Sequence, residues 1–398
     1  MELNLQFGHG MMGHARELIA AWGGGRVILS PRDLTEGQLV KVSKELVAVG
    51  GESLLDPQCF AHDADHKRLT NHDYWKVYRE HQTAAFAGGI AAAELLHELS
   101  KLASKLGIST HIVPGLLATS ISPEWLAFQE GILSEAPNHL KGRRLATIAL
   151  SQSVLRDEAA IEELVERAGK WDVDGYYVVP ETPAAYLVAD PVWLANLLIL
   201  TSGLKLSGRE ILVGYCSHQM LCLAAAGVDA IASGTWLNVR SFPPDKFYSP
   251  DEDEVSRRTT WYYCPQALSE YKLQFLDIAL RAGLLHSMAP SASLGSTFAD
   301  PLFAGANPTD MNWGEQSAFR HYLTSLRAQA AVATLATFEE TVKAHGQLLD
   351  NAEAFSRPLR SAGVRGGDRD FHEYFDVNRA AMSDYVRARG PLLSRVWR

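Results

Sequence analysis

Cysteine is scarce in this chain of 398 residues: four in all (Cys59, Cys216, Cys222 and Cys264), far apart and with no Cys-x-x-Cys pair. That spacing excludes a disulfide framework and a zinc-ribbon pattern, and it suits a reducing compartment. Long apolar runs are missing too, since none approaches the roughly 18–20 residues that span a bilayer. The start, Met1-Glu-Leu-Asn-Leu-Gln6, lacks the basic-then-apolar plan of a secretory signal. A cytoplasmic location is expected. No strand–GxGxxG–helix unit and no P-loop occurs, which argues against a Rossmann-type nucleotide site. Positive charge is in deficit, with Lys and Arg totalling 37 against 46 Asp and Glu, a formal net charge of −9. Such a balance argues against a protein coated in nucleic acid, although only a binding face need be positive. In a basic tail from Arg357 to Arg398 arginine nevertheless outnumbers acid, and Lys141-Gly-Arg-Arg144 and Arg257-Arg258 are two further compact basic spots.

What the chain does contain is a repeating alternation. Short apolar runs occur at Arg26–Ser30, Glu52–Leu55, Thr110–Pro114, Leu145–Leu150, Gly175–Val179, Ile211–Gly214 and Ala230–Ala232, with Leu3–Phe7 as a candidate eighth. Amphipathic stretches such as Asp157–Arg167 and Pro191–Leu200 separate them. Strands that are apolar on both faces and divided by helices predict a parallel sheet. Their number suits an α/β fold of the TIM (β/α)₈ barrel type over residues 1–242, with a mainly helical C-terminal extension over 243–398 as a candidate docking region. Within that extension helices are expected around Gln266–Leu285 and Ser317–His345. Pro243-Pro244 and Asp251-Glu-Asp-Glu254 read as a surface loop.

In such a barrel, chemistry gathers where strands end and helices begin. The strand ends supply Asp56 with Phe60, Pro114-Gly115, Gln152, Pro180-Glu181, Gly214 with Tyr215 and Cys216, and Ser233-Gly234. This set suits a planar heterocycle: Phe60 covers a face, Gln152 and backbone groups read the edge, and Asp56 moves a proton. A metal reading rests on His62-Asp63-Ala-Asp65-His66 and His72-Asp73, which are dense in ligand types but mixed with Lys67 and Arg68. Cys216 near His218 has no third orienting group for nucleophilic chemistry.

The strand ends, in order, resemble the tRNA-guanine transglycosylases, and more closely their DNA-modifying paralogue DpdA. Asp56-Pro-Gln-Cys-Phe60 stands where the family has Asp-Ser-Gly-Gly-Phe/Tyr-Gln. Ile148-Ala-Leu-Ser-Gln152 is similar to its Val-Gln-Gly-Gly strand, and Gly175-Tyr-Tyr-Val-Val-Pro180 to its Gly-Tyr-Ala-hydrophobic-Gly-Gly segment. Leu212-Val-Gly-Tyr-Cys216 and Gly227-Val-Asp-Ala-Ile231 continue the correspondence, which spans roughly residues 50–240. The resemblance implies exchange of guanine in DNA for a 7-deazaguanine base of preQ0 type, through a covalent carboxylate intermediate. RNA as substrate, or a non-catalytic nucleic-acid-binding subunit, are its alternatives, with a metal-dependent hydrolase further off. Carried over by position, Asp56 is the acid–base group and Phe60 the stacking aromatic. Gln152, Val179 and Pro180 read the purine edge, while Val213 and Gly214 close the other face.

Departures from the family pattern are as informative. Ala232 occupies the place of the family's nucleophilic aspartate, leaving Asp229 as the nearest carboxylate and the candidate nucleophile. Only Cys264 and His286 remain of the tRNA enzymes' zinc ligands, two short of a tetrahedral site. No cofactor is therefore expected, and loss of that site favours DNA over RNA. The segment Ala232-Ser-Gly-Thr-Trp-Leu-Asn-Val-Arg240 offers Ser233, Trp236, Asn238 and Arg240 for phosphate and base contacts, with Arg257 and Arg258 beyond it. Partners implied are DNA, the free 7-deazaguanine base and a partner protein of a DNA-modification system. The two-carboxylate form of that reaction requires Asp56 and a second ionised side chain, here Asp229, to flank one purine-sized pocket at the barrel mouth.

Overall fold

The computed structural model describes residues 1–183, 186–249, 259–294 and 296–397. Each apolar run forms a strand: β1 (Glu2–Gln6), β2 (Gly25–Leu29), β3 (Gly51–Leu55), β4 (Thr110–Val113), the short β5 (Leu117–Ala118), β6 (Arg143–Leu150), β7 (Gly175–Pro180), β8 (Glu210–Val213) and β9 (Ala230–Ser233). The hydrogen-bonded order is β3-β2-β1-β9-β8-β7-β6-β4, with β5 beside β6. All of these pairs are parallel. The result is a nearly closed eight-stranded TIM barrel. Its seam lies between β3 and β4, where Thr110 Oγ1 donates to Glu52 Oε1 at 3.0 Å.

The crossovers explain the C-terminal helices. Most strands are followed by a helix: Glu36–Ala48, Ile90–Leu106 and Glu158–Ala168 are amphipathic, whereas Pro191–Lys205 is buried along most of its length. Between β8 and β9 there is instead a 3₁₀ segment, His218–Ala226, in which every residue is buried. A segment this apolar needs an outer layer: against it packs the C-terminal helix Phe338–Ser361, and over its neighbour Pro191–Lys205 packs the C-terminal helix Phe375–Val396. Tyr385 of the latter donates its hydroxyl to Ala225 O at 3.1 Å. A third helix, Glu315–Ala331, packs against β1 and the helix Met11–Trp22. Tyr322, Leu326, Phe338, Phe375 and Tyr385 accordingly belong to the barrel's own core. Residues beyond the expected boundary at 242 thus contribute to the core of the barrel.

A smaller second core does exist, around Tyr262, Tyr271, Leu276 and Trp313. It is built on an antiparallel hairpin, β10 (Trp261–Cys264) with β11 (Ser269–Lys272). This hairpin corrects the expected helix from Gln266, which starts only at Leu273. The aromatic run Trp261-Tyr-Tyr favours strand, and Leu268 turns the chain at φ 50°. The expected helix Ser317–His345 is two helices, broken at residues 332–337. Thr337 caps the second by accepting from Glu340 N at 3.1 Å. Among the described residues no helix is long and apolar enough to cross a membrane.

Candidate active site at the barrel mouth

Asp56 follows β3 at the C-terminal end of the barrel and is 1% exposed. Three donors converge on its carboxylate. Tyr215 Oη donates to Oδ2 at 2.9 Å, Tyr177 Oη to the same oxygen at 3.2 Å, and Gln58 N to Oδ1 at 3.0 Å. Tyr177 reaches it because alternation on β7 points residues 177 and 179 into the barrel, while Tyr176 turns outward to Ala168 O. The approach also needs Gly214, where a Cβ would sit 2.6 Å from the Tyr177 hydroxyl oxygen. Two donors are set by unusual backbone: Gln58 has φ 58° and Tyr215 φ 56°, left-handed conformations that non-glycine residues adopt only at a cost of about 1–2 kcal/mol.

A polar chain runs outward from this centre. Gln58 Nε2 donates to Ser30 Oγ at 2.9 Å, and Ser30 Oγ donates to Asp33 Oδ2 at 2.7 Å. Gln58 Oε1 accepts from Arg32 N at 2.9 Å. Above the centre lies an aromatic cover of Phe60, Phe242 and Phe247, all buried, with Phe60 centroids 5.0 and 5.4 Å from the other two. Lys246 comes from the same covering segment, with Nζ 3.5 Å from the Tyr215 ring centroid. Burial pushes Asp56 up to about 6, a rise that the hydrogen bonds from Tyr215 and Gln58 and the Lys246 charge only partly oppose. Burial also drives the Lys246 ammonium well below its usual range, with Arg32 adding to the effect. The chemistry available is that of a carboxyl group able to hold or release a proton near neutral pH, beside an amine able to shed its charge.

The expected second carboxylate is not there. Asp229 precedes β9 at the opposite, N-terminal end of the barrel. It pairs with Lys205 Nζ at 2.6 Å and accepts from Ile211 N at 2.7 Å. It belongs to a polar rim in which Glu52 and Glu210 hold Arg26, and Glu210 also holds Arg143 at 2.6 Å. The valine-aspartate entry into β9 puts this carboxylate a whole strand length from the mouth, and Ala232 is buried near its other end. Asp56 and Asp229 thus do not flank a common pocket. The aspartyl-nucleophile arrangement is withdrawn for this pair.

The remaining expected contacts divide. Phe60 stands over the site, but its ring is covered by its aromatic neighbours. Gln152 is half-buried at the rim, tied to Glu181 through its N at 2.9 Å. Val179 and Pro180 are buried at the end of β7. Gly214 faces inward against Tyr177, so alternation turns Val213 toward the helix layer. Ser233 is fully buried, which removes it from any phosphate surface. Trp236 is half-buried, edge-on to Phe319 at 4.9 Å, and Asn238 gives its carbonyl to Lys246 Nζ at 2.9 Å.

Arg240 is also buried and corrects the expectation of a phosphate ligand. Its Nε donates to Gly234 O at 2.8 Å, its Nη1 lies 3.3 Å from both Glu270 oxygens, and its guanidinium sits 3.4 Å over Tyr322. Arg257 and Arg258 lie outside the described residues. The basic tail is largely neutralised: Arg379 pairs with Asp350 and Glu353, Arg360 with Asp370, and Arg389 with Glu162.

The metal readings find no site among the described residues, where no three His, Cys, Asp or Glu side chains gather. Cys264 lies in the second core with its thiol pushed up to about 12 by burial, and His286 is exposed. His62 Nε2 lies 2.9 and 2.7 Å from the carbonyls of Tyr78 and His81, and His72 Nε2 is 3.0 Å from Pro31 O. The rest of that cluster anchors the cover. Asp63 accepts from Tyr248 Oη at 2.8 Å, Asp65 from Ser249 N at 2.6 Å, and His66 N donates to Phe247 O at 3.0 Å.

No protein-family model matches this chain, and no curated protein does. Among solved structures it is similar to D-psicose 3-epimerase determined in the presence of D-fructose, at 10% identity and TM-score 0.33, covering 59% of this chain and 84% of that one. It is also similar to the carboxyl transferase domain of Rhizobium etli pyruvate carboxylase with 3-bromopyruvate, at 12% identity and TM-score 0.32, covering 98% and 77%. Likeness of this degree bears on neither substrate nor activity.

Proposed function

We propose that the chain is an enzyme of glycosidic base exchange, replacing guanine in DNA with a 7-deazaguanine base at the barrel mouth, with Asp56 as its acid–base group. The observation that carries this reading is Asp56 itself, buried beneath aromatic rings and raised to about 6. A neutral carboxyl group can protonate a departing purine, and its carboxylate can then deprotonate the incoming base. Reaching the site requires the target nucleotide to leave its stack and displace the cover of Phe60, Phe242 and Phe247. The ordered likeness of the strand ends to the transglycosylases supplies the substrate class, and a sequence that keeps only Cys264 and His286 of the tRNA enzymes' zinc ligands favours DNA over tRNA.

The test is incorporation of labelled guanine or 7-deazaguanine into DNA and, in parallel, into tRNA. Exchange into DNA that falls at least about 100-fold in Asp56→Asn supports the reading; exchange into tRNA alone moves it to RNA. A second reading is favoured by Ala232 and the filled mouth: a subunit that binds nucleic acid without turning it over. Retention of DNA by a protein inactive on both substrates would select it.

A further inference from the structure

We propose that Lys246 is the nucleophile of the barrel mouth, attacking the sugar C1′ of the extruded nucleotide and holding it as an imine; this rests on the base-exchange reading above. Three observations place it there. The covering segment Pro244–Phe247 carries Lys246 over the face of Tyr215, and the hydroxyl of that same ring donates to Asp56. Among the described residues Lys246 forms no ion pair; its Nζ donates to the carbonyl of Asn238 at 2.9 Å. The segment is fixed on both sides, by Arg32 Nε donating to Lys246 O and by His66 N donating to Phe247 O. An amine on a held backbone, touching aromatic faces rather than a carboxylate, is in the setting where lysines act as nucleophiles.

The charged groups that face it are Arg32, Asp56 and Asp33. Burial and Arg32 favour the neutral amine, while Asp56 and Asp33 oppose them.

The step balances without any oxidant or reductant. The Nζ lone pair forms a bond to C1′ as the C1′–N9 bond breaks, its electron pair going to N9, which takes the proton of Asp56. The C1′–O4′ bond then opens: a proton moves from Nζ to O4′, and the nitrogen lone pair completes a protonated imine at C1′. Reclosure of O4′ and attack by N9 of the incoming base, deprotonated by the Asp56 carboxylate, expel the amine and complete the exchange.

The experiment is borohydride trapping with the full chain and a guanine-containing DNA oligonucleotide, run beside the exchange assay. Borohydride reduces an imine to a stable secondary amine, so the wild type should give a denaturation-resistant protein–DNA adduct that peptide mapping assigns to Lys246. Lys246→Gln and Lys246→Arg should give none, with thermal unfolding confirming that at least the charge-retaining variant is folded. An adduct persisting in a folded variant, or mapping elsewhere, overturns the proposal. Exchange without any trapped adduct also overturns it while leaving base exchange standing. An adduct without exchange keeps the lysine and removes base exchange, and neither signal removes both.

Discussion

Replacing Asp56 by Asn should make the protein more stable at neutral pH, and the gain should disappear in acid. Burial raises the folded-state value of this carboxyl from 3.8 to about 6. The neutral form is thus the one the fold prefers. In linkage terms the contribution is fully present below 3.8, where both folded and unfolded chains carry the proton. It is lost as pH rises through 3.8 toward 6, because the unfolded chain ionises first. A rise from 3.8 to about 6 corresponds to about 3 kcal/mol of stability forgone by pH 7 and above. Asp56→Asn removes that loss with little change of shape. Its amide oxygen can accept from Gln58 N, and its NH₂ can donate to the hydroxyls of Tyr177 and Tyr215. Tyr177 Oη is then free to donate to Gln6 Oε1, already 3.2 Å away. Allowing about 1 kcal/mol for imperfect geometry, the variant should be about 2 kcal/mol more stable than wild type at pH 7.5 and equal or slightly less stable at pH 4. Urea unfolding of both proteins from pH 4 to 8 measures the difference directly. A variant less stable at pH 7.5, or a difference that does not change with pH, would refute the argument that Asp56 is held for its proton.

Gly214→Ala should destabilise the fold by about 1–3 kcal/mol, since its methyl would overlap the Tyr177 hydroxyl; thermal unfolding reads this, and an unshifted midpoint contradicts it. Glu270→Ala should cost about 3–5 kcal/mol by stranding Arg240, because burial works against the Glu270 carboxylate yet Arg240 and Arg369 hold it below its usual range. Replacing Arg240 and Glu270 together by methionine should recover much of that loss in denaturant titrations. Asp229→Asn should leave base exchange within about twofold of wild type and lower stability by no more than about 1 kcal/mol, as suits a half-exposed pair with Lys205. A collapse of exchange in that variant would return Asp229 to the chemistry.

The barrel is legible in the sequence because each strand is a short apolar run buried on both faces, and such runs have few other places to go. Asp56 and its surroundings are legible only in part, for a physical reason. A strand end announces a carboxylate, but the partners that give it a function come from distant elements. Tyr177 is recognisable once the alternation of β7 is known, because it shares a face with Val179. Gln58 and Tyr215 reach the site through left-handed backbone that no propensity favours. Lys246 follows a double proline on a segment that reads as surface loop. Asp229 illustrates the converse: a sequence motif can keep its order while its carboxylate serves the other end of a strand. Four residues of β-structure carry the chain across the barrel, so Asp229 at the entry to β9 and Ser233 at its close stand on opposite faces.

That separation bears on how such a mouth could act at all. With one carboxylate buried among hydroxyls, attack on a sugar carbon must come from some other group, and the group must lose its charge to be useful. Among the described residues the hydrogen-bonded surroundings of Asp56 do not offer one, because they consist of Gln6, Ser30, Gln58, Tyr177 and Tyr215, hydroxyls and amides that are poor nucleophiles at neutral pH. The covering segment does. Its anchors to Asp63, Asp65 and His66 are hydrogen bonds at its edge and leave the lysine over Tyr215 untouched. Releasing the aromatic rings to admit a base would therefore expose acid and amine together, so binding of the nucleotide and assembly of the reacting pair would be a single event.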